Sequence, residues 1–81
     1  MDDGEGVQPE VSATDAATLA ARETCLADRE EQLARDQRQD AEASTSRWAR
    51  RLHEKIAAMH DRAEMEHRDA AERHAAYAAK F

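Results

Sequence analysis

Glycine and proline are all but missing from this chain. Gly4, Gly6 and Pro9 are the only ones, and from Val11 to Phe81 there is neither. A stretch that long without a turn-former or a helix breaker leaves helix as the expected state throughout. A single cysteine, Cys25, rules out an intrachain disulfide and gives no sign of an oxidising compartment. It has neither a partner thiol nor a neighbouring base, and reads as filler at the edge of a core. No apolar run approaches the roughly 18 residues that a membrane span requires. The segment Met1-Asp2-Asp3-Gly4-Glu5-Gly6 lacks the basic start and apolar centre of a secretory signal. A cytoplasmic protein with no membrane partner is therefore expected. Motifs for catalysis, cofactors or nucleotides are absent too, and with no hint of a concave pocket the chain is not expected to be an enzyme.

What is present is alanine and charge. Of the hydrophobic 41% of the chain, 19 residues are alanine, too little bulk for an 81-residue chain to fill a core unaided. A partner, either a second copy or another helical protein, is expected to supply what the core lacks. Charged residues make up 37%, with the two signs interleaved, which suits a long exposed helix or a coiled coil. The net charge of -6 disfavours generic attraction to nucleic acid or to an anionic membrane surface. Arginine outnumbers lysine ten to two and asparagine is absent, a composition suggesting a GC-rich bacterial source.

Along the chain, residues 1–12 form an acidic segment holding both glycines and the proline, expected to be a disordered tail. Ser12 is placed to cap a helix, with Asp15 three residues on and Thr14 as a competing cap. Leu19, Leu26 and Leu33 recur every seven residues; Ala16, Glu23, Glu30 and Gln37 would fill the other core position of the heptad. Two glutamates make that a poor zipper. In the second half Leu52, Ile56, Met59, Ala63, Ala70, Tyr77 and Phe81 share a stripe, roughly 80° around from the leucines at 100° per residue. The phase changes near Ser44-Thr45-Ser46, whose side chains compete for backbone bonds, and Ser46 can cap a second helix. These signals specify an all-α fold: a two-helix antiparallel hairpin, coiled-coil-like and oligomeric, with helices at about 13–42 and 47–80 and a turn at about 43–46. That register sets Leu33 near Leu52 and Ile56, Leu26 near Met59 and Ala63, and Leu19 near Ala70. One continuous coiled-coil rod is the rival architecture, since the turn has no glycine to stop a helix.

His53, His60, His67 and His74 are also seven apart. Seven residues of helix rise about 10.5 Å, so one ion with bonds near 2.0 to 2.1 Å cannot take two of these rings from one helix. Glu64, between His60 and His67, permits a weak divalent metal site with either. No other cofactor is expected. Half-exposed histidines beside an apolar stripe are the plainer account. A hairpin would turn the column toward the acidic first helix, with Glu23, Asp28, Glu30 and Glu31, and acidification would then leave association unchanged or strengthen it; parallel rods would repel. Arg47, Trp48, Arg50, Arg51, His53 and Lys55 form a basic cluster that suggests a weak nucleic-acid contact, or a tryptophan packed across the end of the hairpin. Glu31 with Arg35, Glu64 with Arg68, and Asp69 with Arg73 have the spacing of helix-supporting ion pairs. The leading functional expectation is a protein-interaction or adaptor module with an interface of Leu19, Leu26, Leu33, Trp48, Leu52, Ile56, Met59, Ala63 and Tyr77. A metal- or pH-responsive protein built on the histidine column is the alternative.

Overall fold

The computed structural model describes residues 12–80; the acidic segment before Ser12 lies outside the described residues, as does Phe81. Two helices account for nearly everything described: α1 (Ala13–Ala43) and α2 (Arg47–Ala79), packed side by side. The architecture is the antiparallel hairpin, and the unbroken rod is excluded.

Both helix starts are built as the serines suggest. Ser12 is extended (φ -74°, ψ 166°), its Oγ accepts from the Asp15 amide at 3.1 Å and its carbonyl from the Ala16 amide at 2.8 Å. Ser46 does the same for α2, accepting from the Ala49 amide at 3.3 Å. Such caps satisfy amides that the first helical turn leaves without partners.

The turn explains why no glycine is needed. Ser44 leaves α1 in the extended region (φ -74°, ψ 134°) and Ser46 enters α2 in the same region (φ -96°, ψ 129°), so neither adopts a left-handed conformation. Three further bonds hold the corner. Ser44 Oγ donates to the Asp40 carbonyl at 2.8 Å, the Ser44 amide to the Ala41 carbonyl at 3.2 Å, and the Arg50 guanidinium to the Ser44 carbonyl at 3.2 Å.

The seam between the helices differs from the leucine zipper suggested by the spacing. Its fully buried side chains are Ala16, Ala27, Ala34 and Ala41 from α1 and Ala57 from α2; among the described residues no larger side chain is fully buried. Leu19, Leu26 and Ile56 are half-buried, while Leu33 and Leu52 retain 38% and 40% exposure. Each leucine of α1 lies one residue, hence 100°, ahead of a seam position, as Leu26 precedes Ala27 and Leu33 precedes Ala34. The heptad reading correctly put Glu23, Glu30 and Gln37 in the seam but gave the leucines the place that alanines occupy. Alanine suits it because it loses no side-chain entropy on burial and has no bulk to hold two helices apart.

Candidate functional site

The alternate seam positions carry a polar ladder. Nδ1 of His53 meets Gln37 Oε1 at 2.7 Å, Nδ1 of His60 meets Glu30 Oε2 at 2.7 Å, and Nδ1 of His67 meets Glu23 Oε1 at 3.0 Å. The residue numbers of each pair add to 90, so one register runs the length of the hairpin. It sets Leu33, Leu26 and Leu19 level with Ala57, Glu64 and Ala71, one position beyond the Ile56, Ala63 and Ala70 of the expected register. By the same rule His74 falls opposite Ala16, which has no polar side chain, and the ladder ends there.

An ionised carboxylate only accepts, so Nδ1 of His60 and His67 must carry the hydrogen; the carbonyl oxygen of Gln37 requires the same of His53. The rungs are sheltered without being dry, with side-chain exposures of 26% and 22% for His60 and Glu30, and 31% and 18% for His67 and Glu23. A glutamate at a helix–helix seam is costly when unpaired, and here each has a donor.

The two sides of this seam are unlike. Residues that follow a seam position along the chain lie on one side, and there the helices are tied by charge. Arg38 pairs with Asp61, while Arg68 reaches Asp28 at 3.2 Å, Glu31 at 3.1 Å and Glu64 at 2.8 Å. The Arg38 guanidinium holds the Asp61 carboxyl below the ordinary carboxylate value. Glu31 also pairs with Arg35 at 3.0 Å, so two of the three expected four-residue ion pairs form; Asp69 and Arg73 make none. A charged hollow near the turn, lined by Arg38, Glu42, Arg50 and Glu54, lies on this side.

Residues that precede a seam position lie on the other side, where the large apolar side chains are interspersed with charged ones such as Arg22, Arg29, Asp36 and Glu66. Leu19, Leu26 and Leu33 of α1 lie on the same side as Leu52, Ile56 and Met59 of α2, because a step of one residue in each of two antiparallel helices leads to the same side; the register sets Leu33 level with the α2 group, while Leu26 and Leu19 continue beyond it, level with Glu64 and Ala71. Met59 is 62% exposed and Trp48, at the turn end of the stripe, 73%. Trp48 therefore does not pack across the end of the hairpin. It sits one helical turn ahead of Leu52 and shares a shallow hollow with Leu52, Arg51 and Lys55. Ala63 and Tyr77, also expected in the interface, are half-buried on α2. Met65, 66% exposed, lies apart from the stripe beside Asp61, Arg68 and Asp69.

The residues considered for a metal are not brought together. His60 turns to Glu30, His67 to Glu23 and Glu64 to Arg68, each with its own partner. Among the described residues no group of three or more His, Cys, Asp or Glu side chains is gathered closely enough to hold an ion. Cys25 is exposed and does not edge the core. Among the described residues no helix is long and apolar enough to cross a membrane. No protein-family model, curated protein or solved structure matches this chain.

The ladder was half legible in the sequence. Glutamates at 23 and 30 read as a defect of the zipper, although an antiparallel hairpin already turns the histidine column toward the acidic first helix that holds them. Searching for complementary polar residues at equal spacing in opposite helices joins the two.

Proposed function

We propose that this protein is a helical interaction module, an adaptor that docks another helix along the groove on the side that carries Leu19, Leu26, Leu33, Leu52, Ile56 and Met59. One observation carries the reading. The chain fills the centre of its seam with alanines and a polar ladder and leaves its large apolar side chains beside it, half-buried or exposed, so part of their apolar surface stays in solvent when the hairpin closes. Apolar side chains at helical spacing along a groove are what an amphipathic helix recognises, and contiguous patches of this kind mark interaction sites. A second copy and a different helical protein compete for the same groove.

The test is sedimentation equilibrium of the full chain at micromolar concentration, alone and with a synthetic amphipathic peptide carrying a Leu/Ala stripe flanked by glutamine. A mass above 9.1 kDa in either case supports docking. A constant 9.1 kDa in both, with helicity intact, overturns it.

A second reading rests on the ladder. Imidazoles of His60 and His67 set against the Glu30 and Glu23 carboxylates across the seam are the arrangement that a proton-responsive hairpin would use. His53 faces neutral Gln37 and, by the register, His74 faces Ala16, so only these two rungs set a ring against a carboxylate. Helicity and sedimented mass at pH 7.5 and 5.5, in the wild type and with all four histidines changed to glutamine, test this. An identical pH response in both proteins removes the reading.

A further inference from the structure

The exposure of Trp48 decides between the two accounts of the basic cluster. A tryptophan packed across the end of the hairpin would be covered, and this one, the sole tryptophan, is 73% exposed. Trp48, Arg51, Leu52 and Lys55 stand at i, i+3, i+4 and i+7 of α2, one continuous face about 10.5 Å long, and the hollow they line has no carboxylate in its walls. Glu54 is turned to the charged side of the seam, where it lines the other hollow with Arg38 and Arg50, and Asp36 and Asp40 belong to α1. Arg50 is engaged by the Ser44 carbonyl. Arg51 and Lys55 have no ion-pair partner among the described residues, nor has Arg47, one turn before Arg51.

We propose that this face of α2 binds single-stranded nucleic acid, with a base stacked on the Trp48 indole and neighbouring phosphates against Arg51, Lys55 and Arg47. An exposed indole offers a flat π-surface that any unpaired base can cover, and cations within two turns of it neutralise the adjoining backbone. A duplex fits less well, because its bases are already stacked on one another and it would meet the cations alone. An anionic bilayer fits less well too: a broad surface laid on this end of the hairpin also meets Asp36, Asp40 and Glu54, whereas a single strand is narrow enough to follow the face between them. The net charge of -6 confines the contact to this short stretch. Stacking and phosphate contacts are common to DNA and RNA, so the test carries both. The site stands apart from the helix-docking reading, which needs Leu33 and Met59 and neither Arg51 nor Lys55.

The test titrates dye-labelled oligo-dT and oligo-rU of about 12 nucleotides with the full-length protein and reads fluorescence anisotropy. A dissociation constant of about 1–100 µM near physiological salt is expected, with a logarithmic salt slope of about 2 for three phosphate contacts on a single strand. Trp48→Ala should weaken binding by about five- to a hundredfold, while Trp48→Phe keeps most of it. Arg51→Gln and Lys55→Gln should each lower the salt slope by about 0.7, and Arg29→Gln, on the other helix, should leave it unchanged. These positions are exposed, so the helical signal should stay that of the wild type. Equal binding of the two oligonucleotides supports the shared chemistry, and a preference for one supports the site and names its source. Failure of both to bind overturns the proposal, as does a Trp48→Ala variant that binds like the wild type, which would leave charge without stacking. A duplex of the same length bound as tightly as the single strands, or phosphatidylserine vesicles bound in place of both oligonucleotides, also overturns it and assigns the face to duplex or to membrane.

Discussion

Along one edge of the hairpin Arg38 meets Asp61 and Arg68 meets Asp28 and Glu31; along the other Leu33, Leu52 and Met59 meet solvent. The helices are the same and the seam between them is shared, so the contrast arises only from which side of the seam a residue falls on. Exposed ion pairs contribute little stability but disfavour other alignments. The apolar side chains bury part of their surface in the closed hairpin, and the remainder carries free energy that the proposed partner would release on covering it. One edge is satisfied within the chain, and the other is left with apolar surface in solvent.

The contrast is sharpest at neighbouring residues 33 and 34. Ala34 is 1% exposed in the seam and Leu33 is 38% exposed beside it. Ala34→Leu is expected to force the helices apart and to lower stability by about 1–3 kcal/mol, read by urea denaturation of the helical signal. A cost near zero would mean that the seam is looser than the alanines indicate. Next in size is the ladder. A double-mutant cycle with Glu30→Ala and His60→Ala should give a coupling of about 0.5–1.5 kcal/mol in the same denaturation assay. Additive single effects would show that the rung does no more than fill space. Met59→Asp, at a side chain 62% exposed, should change hairpin stability by no more than about 0.5 kcal/mol yet abolish binding of the Leu/Ala-stripe peptide in sedimentation equilibrium. A variant that binds like the wild type would remove Met59 from the groove.

The smallest effect belongs to the charged edge. Arg38→Ala should leave helicity at neutral pH unchanged. Arg38 depresses the Asp61 carboxyl in the folded state, so the stabilisation it gives is complete above the ordinary carboxylate value and is lost as the pH falls through the depressed one. Wild type and variant should therefore melt with a nearly constant difference at pH 6 to 8, converging only at strongly acidic pH. A difference that grows toward alkaline pH would contradict this sign.

How much of this could be read in the sequence depended on whether the signal was local. Helix extent, the Ser12 and Ser46 caps and the break at Ser44–Ser46 are decided within a few residues, and the structure agrees with the sequence on all of them. The seam was harder to read. Leucine outranks alanine in any scale of hydrophobic burial, so Leu19, Leu26 and Leu33 drew the core toward themselves. That Ala27 and Ala34 take it becomes visible only when both helices are considered, since the seam must also accommodate Glu23 against His67 and Glu30 against His60. The expectation that Trp48 packs across the end of the hairpin fails for the same reason, since the stripe beside it was taken for the core, and Trp48 is 73% exposed.

The ladder's numbering has a geometric consequence. Pairs that add to 90 are symmetric about Thr45, the middle of the connection. Every rung therefore depends on equal lengths of helix on the two sides of that residue, and one residue inserted in either helix alone would turn all the ladder residues beyond it about 100° out of the seam at a stroke.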